Sequence, residues 1–480
     1  MKKTREQVLT DLRGLFGESR VITEENAVMN YDGDNNVYAK AFGAFLSPLP
    51  MCILNVCSTG EVAKALVYCN ENGVGVIPRT GSSSYELLLT AVDGDCIVID
   101  ASGMKEIIKI DYDNMMATCQ CGVPLIALEE LLQAQGYTTG HSPQSQPLAQ
   151  MGGLVATRSI GQFSTYYGGI EDLLCGLEAV LPDGKVVRIR NVPRRAAGPD
   201  LRHLFLGCEG ALAFVTEVTV KIFRYYPEDM WLGGYVMKSF GEGLEACREI
   251  ITAGYKPSVV RLYDKPDFDY NFGSIELNEG EAFMFFTAEG PGEVARAVGS
   301  GIDRIARERG GRYVGTEAVA HWLKHRNDRC AIFGTEKRRE GYRQKKTFYA
   351  TTEISASWTD IQEIYKNVME RLPREIDNLT VFGGHVSHSY QNGTNIYFVY
   401  EFKVFSPEAY LGEHRRIIDA ICDEVLKLPT GSCVHHHSMG KMRLHLAERE
   451  HGNSYELIRS LKEMMDPNGI MNPGALVAKK

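Results

Sequence analysis

Residues 432–443 read SCVHHHSMGKMR, which sets His435, His436 and His437 side by side with Lys441 and Arg443 close behind. An imidazole near neutrality accepts a proton, donates one, or holds an anion as imidazolium. Three together make a wall for proton handling or anion binding. If residues 434–438 are extended, His435 and His437 face one side and His436 the other. Lys441 and Arg443 then suit a carboxylate or phosphate on a substrate. Without further context, three adjacent histidines are more often a surface cluster or a weak metal site. His385 and His388 lie upstream in GGHVSH, so zinc is a second reading of the same residues.

Three other stretches have the composition of ligand loops. In IPRTGSSSYELLL (77–89), a Gly/Ser loop follows a strand. Successive backbone N–H groups there converge on an anion, hydroxyls add donors, and small residues let a phosphate come close. Pro78, Arg79, Thr80, Gly81, Ser82, Ser83, Ser84 and Tyr85 are the candidate contacts. The stretch is neither a P-loop nor a GxGxxG turn, and a Gly-Ser loop after a strand is usually only a turn. In HSPQSQPLAQMGGLVATRSIG (141–161), Gly152-Gly153 permits close approach of main chain to a planar ligand. A helix entry with no ligand is the plain alternative. In GPDLRHLFLGCEGALAFVTEVTVKIF (198–223), small residues and Glu209 precede a strand, although Glu209 also reads as a solvated turn residue.

The elements that must carry these loops are legible. An apolar strand at 51–56, a Ser58-Thr59 cap with Glu61 in the first helical turn, an amphipathic helix to Asn72 and the strand GVGVIP form a strand–helix–strand unit. Further β-rich segments follow, with Pro182-Asp183-Gly184 as a turn and 216–223 as a strand. After Tyr226 the texture changes: helical stretches such as EVARAVGSGIDRIARERGG alternate with strands such as EAFMFFTAEG and TNIYFVYEF. That pattern predicts a second, α+β unit over an antiparallel sheet. From about residue 431 the chain is loop-rich, then forms a helix at YELIRSLKEMM and ends in DPNGIMNPGAL.

The 480 residues, 44% apolar and 24% charged, suffice for two or three domains around large cores. A net charge of −9 argues against a nucleic-acid footprint. No apolar run approaches the roughly 18 residues of a spanning helix. The N-terminal Val8, Leu9, Leu12 and Leu15 recur at helical spacing, so that stretch reads as a surface helix rather than a targeting leader. Twelve scattered cysteines without a CxxC pair fit reduced thiols, and a cytoplasmic location is expected.

Taken in order, and with IVIDASGMKEIIKIDYDNMMATCQCGV before them and NPG at the end, these motifs resemble the FAD-linked oxidase (vanillyl-alcohol oxidase, PCMH-type) superfamily. The resemblance covers residues 1 to about 226 and again 431–480. It implies an α+β fold: a two-part PCMH-type FAD-binding domain (1–226), a cap or substrate domain (227–430), and a C-terminal return to the first domain (431–480). It implies FAD, with its pyrophosphate on the 78–85 loop. Pro143, Gln146, Met151, Gly152, Gly153, Ala156, Thr157 and Ser159, then Glu209, Gly210, Ala213 and Val215, and finally Asn472, would approach the rest of the cofactor. The family loop usually reads like GGGTS, whereas this one is Gly81-Ser82-Ser83-Ser84. It has no histidine, so non-covalent FAD is expected.

ATRSIGQFSTYYGGIEDLL, HVSHSYQNGTNIYFVY and VHHHSMGKMR look most like alkyl-dihydroxyacetonephosphate synthase and its bacterial relatives. That resemblance places Tyr397 with His435, His436 and His437 at the catalytic centre. It adds an arginine from KRREGYR, Arg339 or alternatively Arg343. Dehydrogenase relatives that hold a metal use a carboxylate here, which this chain replaces by histidine. One upstream ligand position falls on Tyr397, so no metal is expected. Two enzymatic readings follow. In the first, a small anionic hydroxylated substrate, a 2-hydroxy acid or alcohol, gives hydride to flavin. In the second, flavin works without net oxidation, as in the synthase of ether-lipid formation. The family-like region starts almost at Met1 and carries no peroxisomal address, and HSMG replaces the HGVG expected after the triad. Redox chemistry is therefore the reading carried forward. A flavin-binding protein without catalysis is a third class. The expected partners are a small carboxylate or phosphate substrate, an electron acceptor the sequence does not identify, and a second copy of the chain in a homodimer.

Overall fold

In the computed structural model, which describes residues 1–33, 35–272 and 275–479, the first sheet is built by the strand–helix–strand unit. Strands Ile53–Asn55, Cys96–Asp100 and Gly75–Arg79 run parallel, with Val21–Ile22 added antiparallel at the edge. The connecting helix Thr59–Asn72 starts where Ser58 accepts the Glu61 N–H, and ends at Gly73, whose φ of +64° suits a residue without Cβ. Its buried Val62, Ala65, Leu66 and Cys69 follow the i, i+3, i+4, i+7 rule of a helix with one apolar face. The outermost strand, Gly75–Arg79, is closed by the chain's end: Val76 pairs with Met471, and the Asn472 N–H donates to the Val76 carbonyl at 2.7 Å. The C-terminal return thus lies beside the loop that leaves this strand.

A five-stranded antiparallel sheet follows, in the order Ile107–Asp111, Met116–Gln120, Phe214–Lys221, Leu174–Val180, Val186–Ile189. The short helix Met151–Ala156 packs on it. Its glycines are set by contact: a Cβ on Gly152 would lie 2.6 Å from Cys121 Cβ.

From Trp231 the chain builds a large antiparallel sheet whose main path is Arg312–Gly315, Trp231–Met237, Ala282–Ala288, Val259–Asp264, Leu379–Val386, Gly393–Lys403, Thr347–Ser357. Helices Phe240–Thr252, Gly292–Glu308, Trp358–Glu375 and Tyr410–Val425 cover one face. The strands alternate accordingly. Ile396, Phe398, Tyr400 and Phe402 join the helical core, as do Val260 and Leu262. The residues between them, Tyr397 and also Arg261 and Tyr263, therefore point to the opposite face. Among the described residues no helix is long and apolar enough to cross a membrane.

Candidate active site

Four neighbouring strands present one row of polar side chains on the other face of the large sheet. Tyr263 pairs in register with His385, His385 with Tyr397, and Tyr397 with Glu353. Strand spacing brings the rings into contact: Tyr263–His385 and His385–Tyr397 are each stacked at 4.8 Å between centroids. Asp267, fully buried, holds His385 Nδ1 at 2.5 Å.

The histidine segment closes over the end of this row. Glu353 is the anchor. Its Oε1 accepts the N–H of His436 (3.3 Å) and of His437 (2.7 Å), and its Oε2 meets His437 Nδ1 at 2.8 Å. Arg443, with 0% exposure, lies behind it and bridges Glu353 Oε2 (3.1 Å), Glu86 Oε1 (2.9 Å) and the Cys433 carbonyl (2.7 Å). Burial alone would raise the Glu353 carboxyl, but Arg443 and His437 outweigh it and hold the group well below the ordinary carboxylate range.

The segment is consequently bent, not extended. His435 Nδ1 and His436 Nδ1 face each other at 2.7 Å, and Tyr397 Oη meets His436 Nε2 at 2.5 Å. Burial pushes the Tyr397 phenol well above its usual range, with the Glu353 charge adding to the effect. Burial pushes His436 well below its usual value and His435 down to about 4. The pair is thus a neutral phenol on a neutral imidazole. His388, also driven down by burial, is held by Ser164 Oγ at 2.7 Å. His388, His435 and His436 bring nitrogens within 4.8 Å of one another, as do Glu86, Glu353 and His437 with their ligand atoms. In the first group the 2.7 Å separation of His435 Nδ1 and His436 Nδ1 is that of a hydrogen bond. In the second, Arg443 already occupies both carboxylates.

One cavity of about 430 Å³ connects this corner to the Gly/Ser loop. Its lining runs from Pro78–Tyr85 past Gly152, Gly153, Thr157, Glu209 and Asn472 to His385, Tyr397, His436 and His437. Gly81 is jammed against the neighbouring loop: a Cβ there would sit 2.4 Å from the Leu148 carbonyl oxygen. Among the described residues the N–H groups of Gly81, Ser82, Ser83 and Ser84 find no protein acceptor. Four buried side-chain oxygens on the lining lack partners as well: Ser84 Oγ, Gln150 Oε1, Gln162 Oε1 and Glu209 Oε2. Buried polar groups are nearly always bonded, so this set is complementary to a long polar ligand.

Most of the residues singled out in sequence converge here: all of Pro78–Tyr85, Pro143, Gly152, Gly153, Ala156, Thr157, Ser159, Glu209, Gly210, Ala213, Val215, Asn472, Tyr397, His436 and His437 line the cavity. Several do not. Met151 turns into the apolar core, and Gln146 is taken by Asn327. His435 sits behind His436, because the bend around Glu353 breaks the alternation of an extended chain. Arg443 is consumed by two glutamates. Lys441 donates to Asn472 Oδ1 at 2.9 Å and to the Thr90 carbonyl, so neither cation faces a substrate. Arg339 reaches Asn30 Oδ1 at 2.7 Å and Arg343 the Ala41 carbonyl at 2.9 Å; the lining arginine of that helix is Arg338.

Sequence reading missed Glu353, Arg261, Arg326 and Arg329. Glu353 in TFYATTEISAS and Arg261 in SVVRLYD are lone charges inside apolar strands. Such a charge is expensive to bury without a purpose, and that signal was available.

A family model described as "FAD binding domain" matches residues 50–190, and one described as "FAD linked oxidases, C-terminal domain" matches 227–476. The FAD-linked oxidoreductase YgcU of Escherichia coli (strain K12) is 44% identical over 99% of both chains. Alkyldihydroxyacetonephosphate synthase of Caenorhabditis elegans is 27% identical, over 89% of this chain and 76% of that protein. A mitochondrial D-lactate dehydrogenase [cytochrome] of Arabidopsis thaliana is 25% identical, over 96% and 80%. A solved alkyldihydroxyacetonephosphate synthase shares the fold, with a TM-score of 0.80 at 22% identity over 98% of this chain and 86% of that one. FAD is the cofactor, and the residues fit it: the donor-rich loop, the close-packed glycines and the partnerless polar atoms line one continuous trough.

Proposed function

The chain belongs to the FAD-linked oxidases, and from that premise we propose that it oxidises a small anionic hydroxylated compound, a 2-hydroxy acid or related alcohol. FAD, when bound, supplies the two-electron acceptor for the substrate's hydride. The observation that carries the reading is the charge on the far side of the cavity. Arg261, Arg326 and Arg329 line the same cavity as Tyr397, and among the described residues none forms an ion pair with a carboxylate. Arg261 is 6% exposed, lies over the Trp322 ring at 4.9 Å, and leaves its Nε without a partner; Arg326 Nε is likewise buried and partnerless. A buried guanidinium without a counter-charge, as Arg261 is, with two more cations on the same lining, suits a carboxylate or phosphate, which arginine binds through paired N–H donors.

Such an anchor sets the substrate's hydroxyl-bearing carbon near Tyr397. The phenol is kept protonated and its proton lies on a short hydrogen bond to His436. As the substrate O–H loses its proton to the Tyr397 oxygen, Tyr397 passes its own to His436 Nε2. Neither group starts charged, so no buried charge has to be neutralised before the transfer. Homology to D-lactate dehydrogenase supports a hydroxy-acid substrate.

The test is an anaerobic screen of 2-hydroxy acids and phosphorylated alcohols against the FAD-loaded protein, following loss of the oxidised flavin's visible absorption. Bleaching by a member of the set is expected, and its loss in Arg261→Ala with flavin retained. If none bleaches the flavin, the dehydrogenase reading fails. The similarity to alkyldihydroxyacetonephosphate synthase supports a second reading, transfer on an acyl ketone phosphate without net oxidation. Exchange of that substrate's carbon-bound proton without bleaching would identify it.

A further inference from the structure

Two members of the histidine corner have no place in the reaction just described. His435 and Tyr390 do not line the cavity, yet both are joined to the groups that do. Tyr397 Oη meets His436 Nε2 at 2.5 Å, His436 Nδ1 meets His435 Nδ1 at 2.7 Å, and His435 Nε2 meets Tyr390 Oη at 2.7 Å. Each imidazole is bonded at both of its nitrogens. A neutral imidazole carries one proton on one nitrogen, so the chain has two self-consistent settings. In the first, Tyr397 donates to His436, His436 to His435, and His435 to Tyr390. In the second every bond is reversed.

We propose that Tyr397, His436, His435 and Tyr390 form a proton relay that carries the substrate's hydroxyl proton out of the cavity toward the partly exposed Glu171. The inference rests on the dehydrogenase reading for the source of the proton, on the three hydrogen bonds for the route from Tyr397 to Tyr390, and on the Glu171 charge acting on the Tyr390 phenol for the last leg. The balance is one proton in and one out. The substrate oxygen gives its proton to Tyr397, whose own proton goes to His436 Nε2. The His436 Nδ1 proton moves to His435 Nδ1, and the His435 Nε2 proton moves to Tyr390, whose phenol proton leaves for the Glu171 carboxylate. The chain is left in its reversed setting, with one proton gained by Glu171 and no net charge left on any ring. The first setting is restored when one proton enters the chain at Tyr390 and one leaves Tyr397 into the cavity, the reverse of the outward step.

The terminal acceptor has the properties the route requires. Glu171 Oε2 is buried and partnerless, while Oε1 lies 3.5 Å from the half-exposed Arg158. Burial raises the Glu171 carboxyl, which makes it a better proton acceptor than an ordinary surface carboxylate. Its charge is the first, after burial itself, to act on the Tyr390 phenol. The relay also answers a difficulty at His436: burial makes this imidazole a weak base, and a weak base serves if the proton does not stay on it. His388 braces the chain, stacked on His435 at 5.2 Å and edge-on to His436 at 5.3 Å. Tyr390, His435 and Glu171 act through other residues and are positioning residues, not catalytic ones.

The experiment uses FAD-loaded full-length protein labelled with ¹⁵N in its histidines. In Tyr390→Phe, the ring nitrogens of His436 should change their protonated-to-unprotonated ratio, although Tyr390 bonds only to His435. A change confined to His435 would overturn the relay. So would bound zinc in the purified protein with metal-shifted signals from His388, His435 and His436, since a metal ion would occupy the place of the shared proton. In rapid anaerobic mixing with a bleaching substrate, Tyr390→Phe and Glu171→Gln should each slow flavin reduction about tenfold and raise the solvent deuterium isotope effect at unchanged flavin content. Unaltered rates and isotope effects in both would also overturn it. The NMR arm needs no substrate, so it judges the relay even if no hydroxy compound bleaches the flavin and the dehydrogenase reading falls.

Discussion

At the Gly81–Ser84 end of the cavity the chain presents main chain and small hydroxyls, set by contacts between neighbouring loops. At the Tyr397–His436 end it presents rings from separate segments, set by a buried ion pair. The contrast is sharpest between two buried glutamates. Glu209, at the first end, accepts the Gly440 N–H at 3.1 Å and has no cation bonded to it; burial pushes its carboxyl up to about 7. Glu353, at the second, is locked to Arg443 and His437 and held far down. The first end stays ready for a ligand's polar atoms, whereas the second is already satisfied and works as a rigid mount. A cradle of this kind tolerates Ser for Gly where only donors matter but rejects added volume. A mount of this kind tolerates neither the loss of a charge nor a change of ring.

The largest effect should come from the mount. Glu353→Ala leaves Arg443 buried with half its pairing removed, and should cost about 3–5 kcal/mol in denaturant unfolding. A loss no greater than that of Tyr397→Phe would show that the knot is not the anchor. Tyr397→Phe should keep full flavin content and lower turnover roughly 10²-fold, the ordinary scale for a proton-transfer group. Unchanged turnover removes the phenol from the chemistry.

The two glutamates should also give opposite pH slopes. Glu209 binds a proton more readily folded than unfolded, so its stabilising contribution is complete below its ordinary carboxylate pKa and is lost as pH rises through about 7. Glu353 contributes above the ordinary carboxylate range and loses that contribution as pH falls. In flavin-free protein, Glu209→Gln should reduce the fall in unfolding free energy between roughly pH 4.5 and 7 by on the order of 2 kcal/mol. A slope identical to the unsubstituted protein's would place the carboxylate in a polar, not a buried, setting. Gly81→Ala should be the mildest. Its Cβ forces the loop off the Leu148 carbonyl, weakening FAD affinity by about 1–2 kcal/mol while leaving the histidine corner intact. Loss of turnover at saturating flavin would show that the two ends are mechanically coupled.

The cradle was legible because each part is local. A strand, a Gly/Ser loop and a helix entry announce themselves within a dozen residues, and the helix Thr59–Asn72 and strand Gly75–Arg79 form where their caps and periodicity place them. Gln146 and Met151 fell outside the cavity because a loop's neighbours alternate between ligand and core, and no local rule says which. The corner was legible only as a list of reactive side chains. That His435 lies behind His436, and that Arg443 serves a glutamate rather than a substrate, follows from Glu353, which reaches the histidines only through sheet pairing.

The sequence by itself determined the flavin fold, the Gly/Ser loop that lines the cavity, and the identity of the phenol and imidazoles gathered at its other end. All of these rest on short-range pattern or on side-chain chemistry that does not change with position. Tertiary structure alone decided which nitrogen faces which, which arginines are left unpaired, and which glutamate is charged. Those are consequences of register between strands far apart in the chain and of burial, and both exist only once the sheet has closed.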